Sequence, residues 1–289
     1  MSIPMPRSGE TSTSGGAIAR RGFVMGGLMA GFTLATTRVE AQAVHTNAQG
    51  LVAGETQVPV SDGSLPAYFA RPDGAGPFPV VLVIEESFGV HEYIKDVCRR
   101  LAHEGYLAVA PELYARIADL SKMSDISQIM RDVIAKAPDA TVMSDLDATA
   151  AWASGQHGDT ARLAVIGFCR GGRETWLYAT HNPRLKAAVA WYGQVAGPTS
   201  AIQPHNPIEV ADKLQCPLLG MYGGQDPGIK MADVQATAER AKAEGKGVDI
   251  VVYPDASHGF HADYRPSYNA AAAADSWRRM LEWLRAYGV

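Results

Sequence analysis

Cysteine is scarce in this chain: 289 residues hold three, Cys98, Cys169 and Cys216. An odd, small number excludes a disulfide framework. No C-x-x-C pair and no H-E-x-x-H occurs, so the recognised zinc patterns are missing and no metal is expected. Charge is sparse as well. At 19% charged residues and a net charge of −4, the chain looks neither disordered nor suited to nucleic acid. No apolar run approaches the roughly 20 residues needed to cross a bilayer. No internal repeat or low-complexity linker divides residues 44–289, which argues against a solenoid or a string of domains. What is present is 47% hydrophobic residues, enough for one large buried core.

The first 43 residues read as an address. Ser, Gly and Thr dominate positions 1–18, and A-R-R-G-F-V-M follows at 19–25. An apolar run of 12 residues spans 26–37, and Glu40-Ala41-Gln42-Ala43 has the small-x-small form of a cleavage site. A charged start, a short apolar middle and such an exit make an export signal. Arg20-Arg21 ahead of Phe23 and Val24 resembles a twin-arginine signal, with the twin-arginine export machinery as its partner. Gly26 and Gly27 keep the run only modestly hydrophobic, which suits that route. A membrane anchor is the alternative, and the run is too short for it. Arg7, Arg20, Arg21 and Arg38 leave with this segment against Glu10 and Glu40. The remainder then carries 22 basic against 28 acidic residues, so any attraction for an anionic substrate must come from individual arginines. The mature protein is expected to be exported, periplasmic or beyond, without stable membrane insertion.

Beyond residue 44, short apolar runs alternate with helical patterns, as in a mostly parallel sheet covered by helices. Residues 56–60 and 66–71 flank Asp62-Gly63 and predict a hairpin. P-V-V-L-V-I at 79–84 is almost wholly apolar and β-branched, as a strand buried on both faces requires. Further strands are predicted at 106–110, 163–168, 187–192, 217–222 and 248–253. Helices are predicted at 92–104, 143–154, 170–180, 230–244 and 267–287. Residues 117–142 are polar and helix-prone, and are expected to lie over the sheet edge.

The chemistry concentrates at G-F-C-R-G-G, residues 167–172. A strand runs into it and a helix out of it, which is the setting of a G-x-nucleophile-x-G elbow. Gly167 and Gly171 suit a turn too tight for a Cβ. Cys169 then sits at a helix N-terminus, where negative charge is favoured and a thiol ionises more readily. A buried structural cysteine is the plainer alternative. The partner residues follow in the order nucleophile, acid, histidine. Asp226, in M-Y-G-G-Q-D-P, and His258, in D-A-S-H-G-F, each come just after a predicted strand. Catalytic loops of open parallel sheets lie at such strand ends. Asp255, three residues before His258, is a rival acid. The loop I-E-E-S-F-G-V at 84–90 follows the first buried strand. In this arrangement the backbone N–H groups of Ser87 and Arg170 form an oxyanion hole. Glu86 is placed to face Cys169, and Glu85 is read as part of a solvated loop.

Taken together these motifs resemble the dienelactone hydrolase (carboxymethylenebutenolidase) family of α/β-hydrolases. The resemblance rests on E-S-F-G-V at 86–90, H-E-G-Y-L-A-V-A-P-E-L-Y-A-R at 103–116, G-F-C-R-G-G, G-G-Q-D at 223–226 and H-G-F at 258–260. It covers most of residues 55–287 and implies a single α/β-hydrolase domain over 44–289. It implies a Cys169–His258–Asp226 triad that opens a small ester or lactone through a thioester, without a cofactor. It implies that Glu86 contacts the resting thiol and that Arg116 binds a substrate carboxylate. A second substrate arginine is expected shortly after the histidine. Here H-G-F-H-A-D-Y-R places Ala262 there, so either Arg265 reaches in or the substrate differs. A general carboxylesterase or thioesterase is the runner-up, and a non-catalytic envelope binding protein on the same scaffold a more distant one.

N-terminal sequencing of the exported protein should begin at or near Val44. A mature terminus upstream of residue 20 would exclude the signal reading.

Overall fold

The computed structural model describes residues 44–289, so the export signal read over residues 1–43 lies outside the described residues. Fifteen elements suffice to place the site. Strands β1 (Leu51–Val60) and β2 (Gly63–Pro72) form the opening hairpin, turning at Ser61-Asp62. Strand β3 (Phe78–Ile84) leads through helix α1 (Glu92–His103) to β4 (Leu107–Pro111). Helices α2 (Ile126–Asp132) and α3 (Asp139–Ser154) precede β5 (Gly158–Phe168) and α4 (Arg170–His181). The chain continues through β6 (Leu185–Trp191), α5 (Pro207–Val210), β7 (Leu218–Gly223), α6 (Met231–Ala243) and β8 (Val248–Tyr253) to α7 (Ala270–Ala286).

The eight strands form one sheet in the order β1-β2-β4-β3-β5-β6-β7-β8. β1 and β2 pair antiparallel, as do β2 and β4, and every other pair is parallel. The central strands are apolar throughout: Val80 to Ile84, Leu107 to Ala110 and Leu163 to Ile166 are fully buried. Such strands need helices on both faces to cover them. The chain leaves β3 for β4 on one side and returns to place β5 on the other side of β3. The carboxyl ends of β3 and β5 therefore flank a topological switch point, where open α/β sheets form their clefts.

The predicted elements are recovered with shifted ends. β5 begins at Gly158 rather than 163, and α3 at Asp139 rather than 143. The polar stretch 117–142 holds no strand, but hydrogen bonds anchor it to the loop after β6 and not to an edge strand. Gln203 Nε2 donates to the carbonyls of Ile134 (2.7 Å) and Ala137 (2.9 Å), and Asp139 N donates to Ile202 O (2.9 Å). No helix among the described residues is long and apolar enough to cross a membrane.

The β5–α4 turn is the tightest point of the fold. A Cβ on Gly167 would lie 2.2 Å from Gly171 O, and one on Gly171 would lie 2.5 Å from the carbonyl oxygens of Ile84 and Glu85. The obstructing atoms are backbone, so neither site can relax by moving a side chain. Gly167→Ala is expected to destabilise the fold by at least about 3 kcal/mol. Thermal unfolding should show this as a fall of roughly 6–12 °C in Tm; an unchanged Tm would refute the packing argument.

Candidate active site

Cys169 sits at the tip of that turn with φ 55° and ψ −114°, a left-handed conformation foreign to ordinary side-chain-bearing residues. The neighbouring backbone holds it there. Cys169 N donates to Trp191 O (3.0 Å), and Cys169 O accepts from Gly172 N (3.0 Å) and Arg173 N (3.3 Å). The bend lifts Sγ off the end of β5 and sets it at the N-terminus of α4. There the free amides favour negative charge. Among the described residues the amides of Ser87 and Arg170 make no backbone hydrogen bond, which leaves both available to an oxyanion.

His258 and Asp226 arrive from the loops after β8 and β7. His258 Nε2 lies 3.2 Å from Cys169 Sγ, and its Nδ1 lies 2.7 Å from Asp226 Oδ2. Of the two candidate acids it is Asp226 that meets His258, whereas Asp255 is exposed. The Asp226 side chain is 1% exposed, and its second oxygen accepts from Gly228 N (2.8 Å), so the carboxylate is fixed from both sides. Burial opposes charge on both Cys169 and His258. Their mutual attraction and hydrogen bond outweigh it, and Arg265 adds to the effect on the thiol. The Cys169 pKa is lowered, and that of His258 is raised to about 10 with Asp226 contributing. The arrangement therefore favours transfer of the thiol proton toward the imidazole.

Glu86 departs from expectation. It is fully buried, but its carboxylate turns to Arg265 and Tyr264 rather than to the thiol. Arg265 Nη2 donates to Oε1 (2.9 Å) and the Tyr264 hydroxyl to Oε2 (2.5 Å), while His91 Nε2 lies 3.4 Å from Oε2. Burial would raise the Glu86 pKa, but the Arg265 charge and the His91 and Tyr264 contacts hold it down at about 2. A carboxylate so well paired has no proton to share with a thiol and little reason to leave its cation. Glu85, read as solvated, is also fully buried, with its Oε1 accepting from Leu113 N (2.9 Å).

The two arginines expected to meet substrate are committed elsewhere. Arg265 is buried, pairs with Glu86 and lies 5.4 Å over the Phe88 and Tyr264 rings. Arg116 is held between Asp62 and Asp145. Its Nε and Nη2 donate to Asp62 (2.8 and 2.6 Å), and its Nη1 and Nη2 to Asp145 (2.5 and 2.9 Å). Most of its N–H donors are already used by this double fork, which leaves little for a substrate carboxylate.

Tyr264, His91 and Tyr192 belong to the site without any local sequence signal. Tyr192 packs 5.1 Å from the His258 ring and has a buried hydroxyl with no hydrogen-bond partner among the described residues. A cavity of about 330 Å³ opens beside the Asp226 loop, lined by Gln194, Val195, Gly197, Ile229, Lys230 and Asp233. No group of three or more potential metal-ligating side chains gathers among the described residues.

Fold and site together define an α/β-hydrolase with its elbow, histidine and acid in place. Residues 65–288 match the model of the dienelactone hydrolase family, and the chain belongs to that family. A proposed carboxymethylenebutenolidase of Methylorubrum extorquens is 55% identical over 274 residues, 94% of each chain. One from Escherichia coli K12 is 51% identical over 259 residues, 89% of this chain and 96% of that one. Among solved structures, a proposed dienelactone hydrolase of Klebsiella pneumoniae superposes with a TM-score of 0.80 at 50% identity, covering 82% of this chain and 99% of that one.

The three thiols should differ sharply in reactivity. Cys98 and Cys216 are buried, and burial pushes the Cys216 pKa up to about 12. Iodoacetamide at neutral pH should label Cys169 alone in the folded protein. His258→Ala should move the pH midpoint of that labelling upward, toward the ordinary thiol value of about 8.5. Mass spectrometry of the alkylated protein reads both, and an unshifted midpoint would contradict the ion pair.

Proposed function

We propose that the protein hydrolyses a small ester or lactone by acyl transfer through a Cys169 thioester. The observation that carries this reading is the continuous contact from Cys169 Sγ through His258 to Asp226. The thiolate attacks the carbonyl carbon, and the carbonyl oxygen takes the negative charge beneath the Ser87 and Arg170 amides. Such a donor typically contributes about 3 kcal/mol to the transition state. His258, already protonated, gives its proton to the departing alcohol or enolate oxygen as the C–O bond breaks. It then removes a proton from water, which attacks the thioester carbonyl and releases the acid and the thiolate. Asp226 keeps the imidazole in one orientation and stabilises its charge throughout.

The committed arginines favour the reading in which the substrate needs no carboxylate. Arg265 is neutralised by Glu86 and Arg116 by two aspartates, so both arginines expected to meet a substrate carboxylate are already paired. An uncharged acyl group therefore suits it better than an anionic one. The Arg20-Arg21 signal supports export by the twin-arginine route, with the hydrolase acting outside the cytoplasm.

Cys169→Ala should lower kcat/KM for small activated esters by about 10³-fold or more while leaving Tm nearly unchanged. Retained turnover in that variant would falsify the nucleophile assignment. In the unaltered enzyme, a neutral lactone should be cleaved at least as efficiently as its carboxylate-bearing analogue. A strong preference for the anion would overturn the reading of the arginines.

A further inference from the structure

Beneath the oxyanion loop lies a pair of acids that the hydrolytic steps do not use. Glu85 closes β3 and is fully buried. Its Oε1 accepts from Leu113 N (2.9 Å), in the loop after β4, while its Oε2 is buried with no hydrogen-bond donor among the described residues. Glu112 lies in that second loop, and its Oε1 accepts from Val90 N (3.1 Å), back in the first loop. Each acid thus grips the backbone of the other's loop, and each carboxyl group acts on the other's proton affinity. Gly89, at φ 83°, makes room for this: a Cβ there would lie 3.1 Å from Glu112 Oε2. Between the two anchor points, Glu85 and Val90, run Glu86 and Ser87.

Two ionised carboxylates in contact inside a protein are untenable unless cations neutralise them. Among the described residues neither Glu85 nor Glu112 forms an ion pair with arginine, lysine or histidine. Lys95 and His91 act on Glu112 only at longer range, from the α1 side. Tyr114, beyond Glu85, is buried and lies close to Arg170 and Glu174. The adjacent Glu86 spends its own charge on Arg265. One proton resolves both difficulties. Placed on Glu85 Oε2, it removes a charge and turns the orphaned oxygen into a donor toward Glu112.

We propose that Glu85 and Glu112 share a proton as a carboxylic acid–carboxylate clasp between the β3 and β4 loops, and that Glu85 is thereby a positioning residue for the Ser87 amide and the Glu86 carboxylate. The catalytic part of this statement rests on the hydrolytic reading of that loop; the clasp itself does not. Burial first, then the neighbouring Glu112, raises the Glu85 pKa well above the ordinary carboxyl range, and burial raises that of Glu112. The sign of the pH dependence follows. The unfolded chain holds these protons only below about pH 4.3. The clasp's stabilisation is therefore complete in acid and declines as pH rises toward the raised folded-state value. Above that value two adjacent anions push the loops apart.

Glu85→Gln tests this, because an amide offers a fixed N–H where the acid offers its O–H, and its carbonyl still accepts from Leu113. Tm should be measured from about pH 5 to pH 9 for the unaltered protein and the variant. The unaltered protein should lose Tm across this range, while Glu85→Gln stays flatter and is the more stable at the alkaline end. Glu112→Gln should flatten the profile in the same way, since a shared proton belongs to both partners. On a small activated ester, Glu85→Gln should keep kcat/KM within about threefold at neutral pH and extend the alkaline limb. Glu85→Ala should lose about tenfold or more, chiefly in kcat. Profiles of Tm parallel to the unaltered protein in both glutamine variants would overturn the clasp. That readout needs no turnover and can be repeated in a Cys169→Ala background. A failure of the hydrolytic reading and a failure of the clasp are therefore told apart.

Discussion

A single backbone bend makes the rest possible. Cys169 is held at φ 55°, where an L-residue is strained, and everything around it bears on keeping it there. Trp191 O takes its amide, and the first turn of α4 takes its carbonyl. Gly167 and Gly171 have surrendered their side chains so that β3, β5 and α4 can converge. The strain is local and the restraint is distributed over the sheet, so the sulfur is presented rigidly. Rigidity matters here because the contact with His258 is a single 3.2 Å approach from a loop 89 residues further along the chain.

Charge in the site is arranged as closed pairs. Cys169 faces His258, Glu86 faces Arg265, and Arg116 faces Asp62 and Asp145. Each pairing satisfies groups that would be costly to bury alone. It also narrows what the site can recognise, because a guanidinium already in a bidentate fork has little to offer a new anion. The Glu86–Arg265 pair lies near enough to the thiol for Arg265 to favour its ionised form, while Glu86 weakly opposes it. Glu86 therefore serves best by fixing Arg265, an effect distinct from direct contact with sulfur.

Sequence reading succeeded where the physics was local. A β-branched apolar run must be a buried strand, and glycines flanking a cysteine between strand and helix must be a tight turn. Those two facts placed β3, β5 and Cys169, and the order of strand ends placed Asp226 and His258. It failed where the answer depended on what lay opposite in space. Glu85 looked solvated because two acids in a row usually are, and it is the Leu113 amide, 28 residues on, that meets it in its buried position. Arg116 looked available because Asp62 and Asp145 are distant in the chain. Tyr264 and His91 showed nothing in their neighbourhoods to mark them.

By itself, then, the amino-acid order determined the class of fold, the position of the elbow and which cysteine, histidine and aspartate stand at neighbouring strand ends. Those follow from hydrophobic periodicity and from steric demands within a few residues. Only the folded chain decided how the charged groups are shared out: which acid holds Arg265, which acids occupy Arg116, and which backbone amides Glu85 and Glu112 bind. Pairing of charges is governed by distance through space and by burial, and neither quantity is written along a one-dimensional chain.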